Sequence, residues 1–132
     1  MPDPTQQFFA ATPASVGHAR DFAAATLSSW GLSARAEDIR LCLSELASNA
    51  LAHGTDPGHG FLVTMEADDD FVRLEVHDSR GCRPAVRHPA DTETSGRGLL
   101  LVEALSDDWG VEDRRPFGQI VWSRFKAGAS PC

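Results

Sequence analysis

Apolar residues recur at Ile39, Cys42, Leu43, Leu46, Ala47, Ala50 and Leu51, the i, i+3, i+4, i+7 stripe of an amphipathic helix that begins near Ala36. His53-Gly54 supplies its stop, and Thr55 to Gly60 is a turn-rich connector. Upstream, Thr12-Pro13 gives an N-cap followed by proline at the first helical position. Gly31 gives a C-terminal stop, so a first helix is expected from Pro13 to about Trp30. Gln6 to Ala11, around Phe8 and Phe9, reads as a short strand before it. Further on, the runs become short and strand-like. Phe61 to Ala67 and Phe71 to Asp78 flank Asp68-Asp69-Asp70 as the arms of a hairpin. Ser79 to Ser95 holds Gly81, Pro84 and Pro89 with no clear period, a loop of the length that commonly carries function. A third helix follows Gly98, anchored by Leu99, Val102 and Leu105, and Trp109 to Arg114 with Gly118 to Lys126 forms a last hairpin. This order predicts an α+β, two-layer sandwich: a mixed, mostly antiparallel sheet with about three helices on one face. Residues 6–127 form the expected single domain, with loose termini at 1–5 and 128–132.

Composition narrows the function classes. The 132 residues carry 12 Lys and Arg against 19 Asp and Glu, a net charge of −7, which argues against a nucleic-acid groove built on phosphate neutralisation. A small anionic ligand is still compatible, since a pocket can be locally positive inside an acidic protein. The three cysteines, Cys42, Cys82 and Cys132, have no metal spacing and an odd total, which speaks against a disulfide framework or zinc. The N-terminus lacks the pattern of a signal peptide, and no apolar stretch is long enough to span a bilayer. A cytoplasmic location is expected.

Three groups of residues can carry chemistry. Glu45, Asn49 and His53 lie four apart, so they form one ridge beside the apolar stripe of the second helix. There Glu45 can orient or deprotonate an attacking hydroxyl, and the Asn49 oxygen suits a hard cation such as magnesium. The same spacing also describes an ordinary solvated shoulder. Asp78 shares the parity of Val72, Leu74 and Val76, so it should point toward the helices at the strand's end. A buried carboxylate needs a partner, and an adenine amino group is one; capping the Ser79-Arg80-Gly81 turn is another. Ser95-Gly96-Arg97-Gly98-Leu99 places two glycines and a positive charge ahead of a helix start, where free N–H groups favour phosphate. Alone, a G-x-G is weak evidence; the order of the three groups gives it value.

In that order the sequence resembles the Bergerat-fold, histidine-kinase-like (GHKL) ATPases, and within them the anti-sigma factor serine/threonine kinases. L-x-x-S-E-L-A-S-N-A-L-A-H-G at Leu41 to Gly54 is similar to the family's asparagine box. V-H-D at Val76 to Asp78 is similar to the strand ending in the adenine-binding aspartate, and S-G-R-G-L-L-L-V at Ser95 to Val102 to the later glycine box. The resemblance implies ATP and Mg²⁺ as cofactors. Asn49 would ligate the metal, Glu45 would serve as base or orienter, and Asp78 would receive the adenine amino group. Gly81, Gly96, Arg97, Gly98 and Leu99 would complete the nucleotide site, and His53 would be structural. It also implies a sigma factor and an anti-anti-sigma (STAS-type) protein as partners, the latter phosphorylated on serine or threonine. No direct contact with nucleic acid or membrane is implied. A homodimer is compatible, with the first helix and its surroundings as the surface for it or for partners.

The chain also departs from the family pattern. Aligned by Asp78 and Pro84, the glycines expected after the strand fall on Arg80 and Cys82. The basic residue that often precedes His-Gly is Ala52, and the threonine expected in the last hairpin is replaced by Ile120. These departures motivate a rival reading, a non-catalytic partner-switching module of the same fold. A third is an isolated catalytic domain related to sensor histidine kinases, for which His18 is the available phosphate acceptor.

Overall fold

The computed structural model describes residues 3–51, 60–68, 70–78, 101–113 and 118–126. Five strands, β1 (Thr5–Ala10), β2 (Gly60–Ala67), β3 (Phe71–Asp78), β4 (Asp108–Asp113) and β5 (Gln119–Lys126), form one sheet in the order β1-β2-β3-β5-β4. Every pairing is antiparallel, so among the described residues the parallel component expected of a mixed sheet is not present. Helices α1 (Ala14–Trp30) and α2 (Ala36–Asn49) pack on each other and cover the sheet's inner face, and residues 101–105 form a further helical stretch.

Local chemistry explains most boundaries. Pro13 already has helical backbone angles, and the Thr12 carbonyl accepts the Ser15 N–H at 3.0 Å. The Thr12 hydroxyl lies 3.1 Å from that of Ser15, so its partner is a side chain rather than the expected backbone donor. At the other end Gly31 adopts φ 71°, the left-handed geometry glycine allows, with Leu32 N–H bonding Leu27 O and Gly31 N–H bonding Ser28 O. Between β2 and β3, one Asp68 carboxylate oxygen accepts the N–H groups of Asp70 and Phe71, each at 2.8 Å, and closes the expected hairpin.

The core follows the two periodicities. Ile39, Cys42, Leu43, Leu46 and Ala47 of α2 are buried against Val63 and Met65 of β2 and Val72, Leu74 and Val76 of β3. Burial pushes the Cys42 thiol up to about 12, which leaves it a packing residue without nucleophilic character. Arg35, in the 3-10 turn before α2, fastens one end of the sandwich. It donates to Asp38 and Asp107 at 3.1 Å, to the Leu105 carbonyl at 2.7 Å and to the Lys126 carbonyl at 2.9 Å, and its guanidinium lies over the Phe125 ring. The Lys126 N–H and the Arg35 guanidinium together hold the Asp107 carboxyl below the usual carboxylate range. The start of α2 is thereby tied to the Lys126 end of β5.

Candidate functional site

Asp78 is the last residue of β3, and the strand alternates strictly between half-buried and buried positions. Its parity is that of Val72, Leu74 and Val76, and it is 5% exposed, so the carboxylate sits on the core side as the sequence predicts. Its cross-strand neighbours are Phe61 on β2 and Gln119 on β5. Gln119 is 8% exposed on the same face. Two polar residues thus stand side by side where a core would ordinarily continue with aliphatic ones.

Gln119 corrects one expectation. Ile120, which the family pattern aligns with the threonine of the last hairpin, lies on the outer face, opposite His77. β5 buries Gln119, Val121, Ser123 and Phe125, so the residue entering the site beside Asp78 is one position earlier. The alternation of Val121, Ser123 and Phe125 would have identified it from sequence. Gly118 sets this register: its φ of 107° is open to glycine and strained for other residues, and the chain passes through it directly into β5.

α2 supplies the other wall. It packs on β3, and Arg35 holds its start at the Lys126 end, where β3 begins with Phe71. Over its 14 residues the helix advances ~20 Å, close to the length of an eight-residue strand. Its last turns, with Glu45 and Asn49, therefore lie toward the Asp78 end. Both side chains are half-buried, on the shoulder of the stripe that buries Cys42, Leu46 and Ala47. His53, Gly81, Gly96, Arg97, Gly98 and Leu99, with Ala52, Arg80 and Cys82, lie outside the described residues.

The chemistry of these groups fits ATP with a divalent ion. A buried carboxylate beside a carboxamide offers an acceptor and donors to a purine, and a half-buried amide oxygen suits magnesium. Among the described residues no three His, Cys, Asp or Glu side chains converge, so an ion here would rely on Asn49 and on oxygens brought by the ligand. A concavity lined by Glu66, Ala67, Asp68, Phe71, Arg73 and Arg124 opens at the opposite end of β3. Its arginines are engaged: Arg124 lies 4.0 Å over Phe71, while Arg73 stacks on Trp122 and pairs with Glu75 at 2.6 Å. That concavity is part of the sheet's outer surface and separate from the Asp78 site.

Fold and site define a class. The chain matches the histidine kinase-like ATPase domain over residues 9–125 and belongs to that family. Among curated proteins it is similar to the anti-sigma F factor of Clostridium acetobutylicum, at 27% identity over 95 residues. That match covers 64% of this chain and 66% of the relative, so it spans just under two thirds of the relative's length. No helix among the described residues is long and apolar enough to cross a membrane.

Proposed function

We propose that this chain is an ATP-binding anti-sigma regulator that phosphorylates a serine or threonine of an anti-anti-sigma, STAS-type partner. The observation that carries the reading is Asp78, a carboxylate 5% exposed on the core face at the end of β3, in a chain that belongs to the histidine kinase-like ATPase family. The similarity to an anti-sigma F factor supports the regulatory part and the pairing with a sigma factor. Residues 6–127 would form the working domain, with a homodimer as one arrangement of it.

In this reading Asp78 accepts the adenine amino group, Asn49 offers its amide oxygen to Mg²⁺, and the Gly81 and Gly96–Leu99 segments enclose the phosphates. ATP supplies the phosphoryl group, which moves to the partner's hydroxyl oxygen as ADP leaves. Glu45 orients that hydroxyl and receives its proton. Phosphorylation then places a dianion at the partner's interface and weakens its hold.

Calorimetry with ATP and Mg²⁺ tests the binding step: Asn49→Ala should lower affinity at least tenfold, while Glu45→Ala should bind within about threefold of wild type yet transfer no phosphate. Absence of ATP binding to the wild-type chain overturns the reading. Arg80 and Cys82, standing where the family pattern has glycines, favour the second reading, a partner-switching module without turnover. ATP binding without phosphate transfer to a cognate STAS-type partner would decide for it.

A further inference from the structure

Resting on the ATP reading above, we infer that Arg35 is a positioning residue: from the far end of α2 it sets where Asn49, and Glu45 with it, stand along the sheet relative to Asp78. The two halves of the site belong to different elements. Asp78 ends β3, whereas Glu45 and Asn49 ride on α2. A nucleotide that reaches from one half to the other reads the spacing between them. Whatever fixes the helix along the strands therefore fixes the site.

Packing alone supplies little of that restraint. α2 meets the sheet through Ile39, Cys42, Leu43 and Leu46 against Val72 and Leu74, apolar contacts that are non-directional and over which packed helices slide. Hydrogen bonds are directional, and Arg35 makes them to α2, to the 101–105 stretch and to β5. Its Nε donates to Asp38 in the first turn of α2, its Nη2 to the Leu105 carbonyl, and its Nη1 to the Lys126 carbonyl and the Asp107 carboxylate. Those acceptors stand on a fixed frame: Asp107 accepts the Lys126 N–H at 2.6 Å, and its own N–H donates to the Arg124 carbonyl at 2.8 Å. A planar fork tied to this many acceptors cannot follow the helix along its axis without breaking several bonds together. Glu45 and Asn49 lie roughly 15 and 21 Å further along the helix. A misplacement of about 1 Å at such groups can cost a hundredfold in rate, so a clamp remote from the chemistry has leverage on it.

Calorimetric titration of ATP with and without Mg²⁺ tests the assignment on wild type, Arg35→Ala, Arg35→Lys and Arg40→Ala. The gain in affinity that Mg²⁺ gives reads the placement of Asn49, and the Mg²⁺-free affinity reads the Asp78 end. Arg35→Ala should lose about tenfold of that gain and keep its Mg²⁺-free affinity within about threefold of wild type. Arg35→Lys should lose about threefold of the gain, because a compact ammonium cannot span the same acceptors, and it decides the matter if the alanine variant does not fold. Arg40 pairs with Glu37 inside α2 at 4.0 Å, so Arg40→Ala should leave the gain unchanged. A purely structural role for Arg35 would lower the melting temperature and scale both affinities together, leaving the gain intact, and that result overturns the inference. An equal loss of gain in Arg40→Ala overturns it too. A wild-type chain that binds ATP equally with and without Mg²⁺ refutes this inference and leaves ATP binding standing, whereas one that binds no ATP refutes the reading beneath it as well.

Discussion

β3 carries two carboxylates three residues apart, and they occupy opposite faces of the sheet. Glu75 looks outward and accepts from Arg73 Nε at 2.6 Å, from Thr64 Oγ1 at 3.0 Å and lies 2.7 Å from His77 Nε2. Arg73 continues the cluster by stacking on Trp122, 4.6 Å from the ring centroid. Burial by itself would raise the Glu75 carboxyl, but the bonds from His77, Arg73 and Thr64 hold it below the usual glutamate range. Asp78 looks inward, at the end of the strand, beside Gln119 and toward the last turns of α2. The outer carboxylate knits β2 and β3 together, with its charge matched by neighbouring side chains. The inner one stands beside Gln119 at the end of a strand whose other inward positions, Val72, Leu74 and Val76, are aliphatic. Under the proposed ATP reading, face and position along the strand, rather than charge, would separate the structural carboxylate from the ligand-binding one.

Paired substitutions can break this contrast. Asp78→Asn keeps the shape but turns an acceptor-only group into one that can present donors to the adenine amino group. ATP affinity should fall about a hundredfold, with thermal stability little changed. Glu75→Gln should do the opposite, costing about 1–2 kcal/mol in denaturant unfolding while ATP affinity stays within about twofold. If both variants lose ATP equally, the two faces are not functionally distinct.

The pH dependence sharpens the same pair. The folded-state pKa of Glu75 is depressed, so its contribution is present above the unfolded value and lost as pH falls through the folded one. The stability gap between wild type and Glu75→Gln should hold down to about pH 4.3 and close below it, because the wild-type carboxyl then also becomes neutral. Urea unfolding at a series of pH values reads this out. A gap that persists in acid would mean that side-chain shape, rather than charge, supports the outer cluster.

Much of this was legible in the sequence because it is periodic. Val72, Leu74 and Val76 fix the parity of Asp78, and the Ile39–Leu51 stripe fixes which side of α2 carries Glu45 and Asn49. Gln119 is not legible from the family pattern, which aligns Ile120 with the threonine, because one residue of offset moves a strand side chain to the other face. Arg35 could not be read at all. Its partners at Leu105, Asp107 and Lys126 are 70, 72 and 91 positions away, and no local pattern announces a contact of that range. The Ser95–Leu99 segment lies outside the described residues.

Ser123 gives the smallest effect and the strictest control. It is fully buried on the inner face of β5, four residues from Gln119, and its Oγ has no hydrogen-bond partner among the described residues. Its neighbours across the sheet are Leu74 and Trp109, away from the Asp78 end. If inward polarity alone marked the site, Ser123 would belong to it. If position along the strand is also required, the hydroxyl is simply a desolvated group without compensation, and removing it relieves that cost. Ser123→Ala should therefore unfold within about 1 kcal/mol of wild type, with any change in the stabilising direction. Its ATP affinity should be unchanged, as measured by the same titration used for Asp78→Asn. A drop in affinity approaching that of the Asp78 variant would extend the nucleotide site into the middle of the sheet and dissolve the distinction between its two ends.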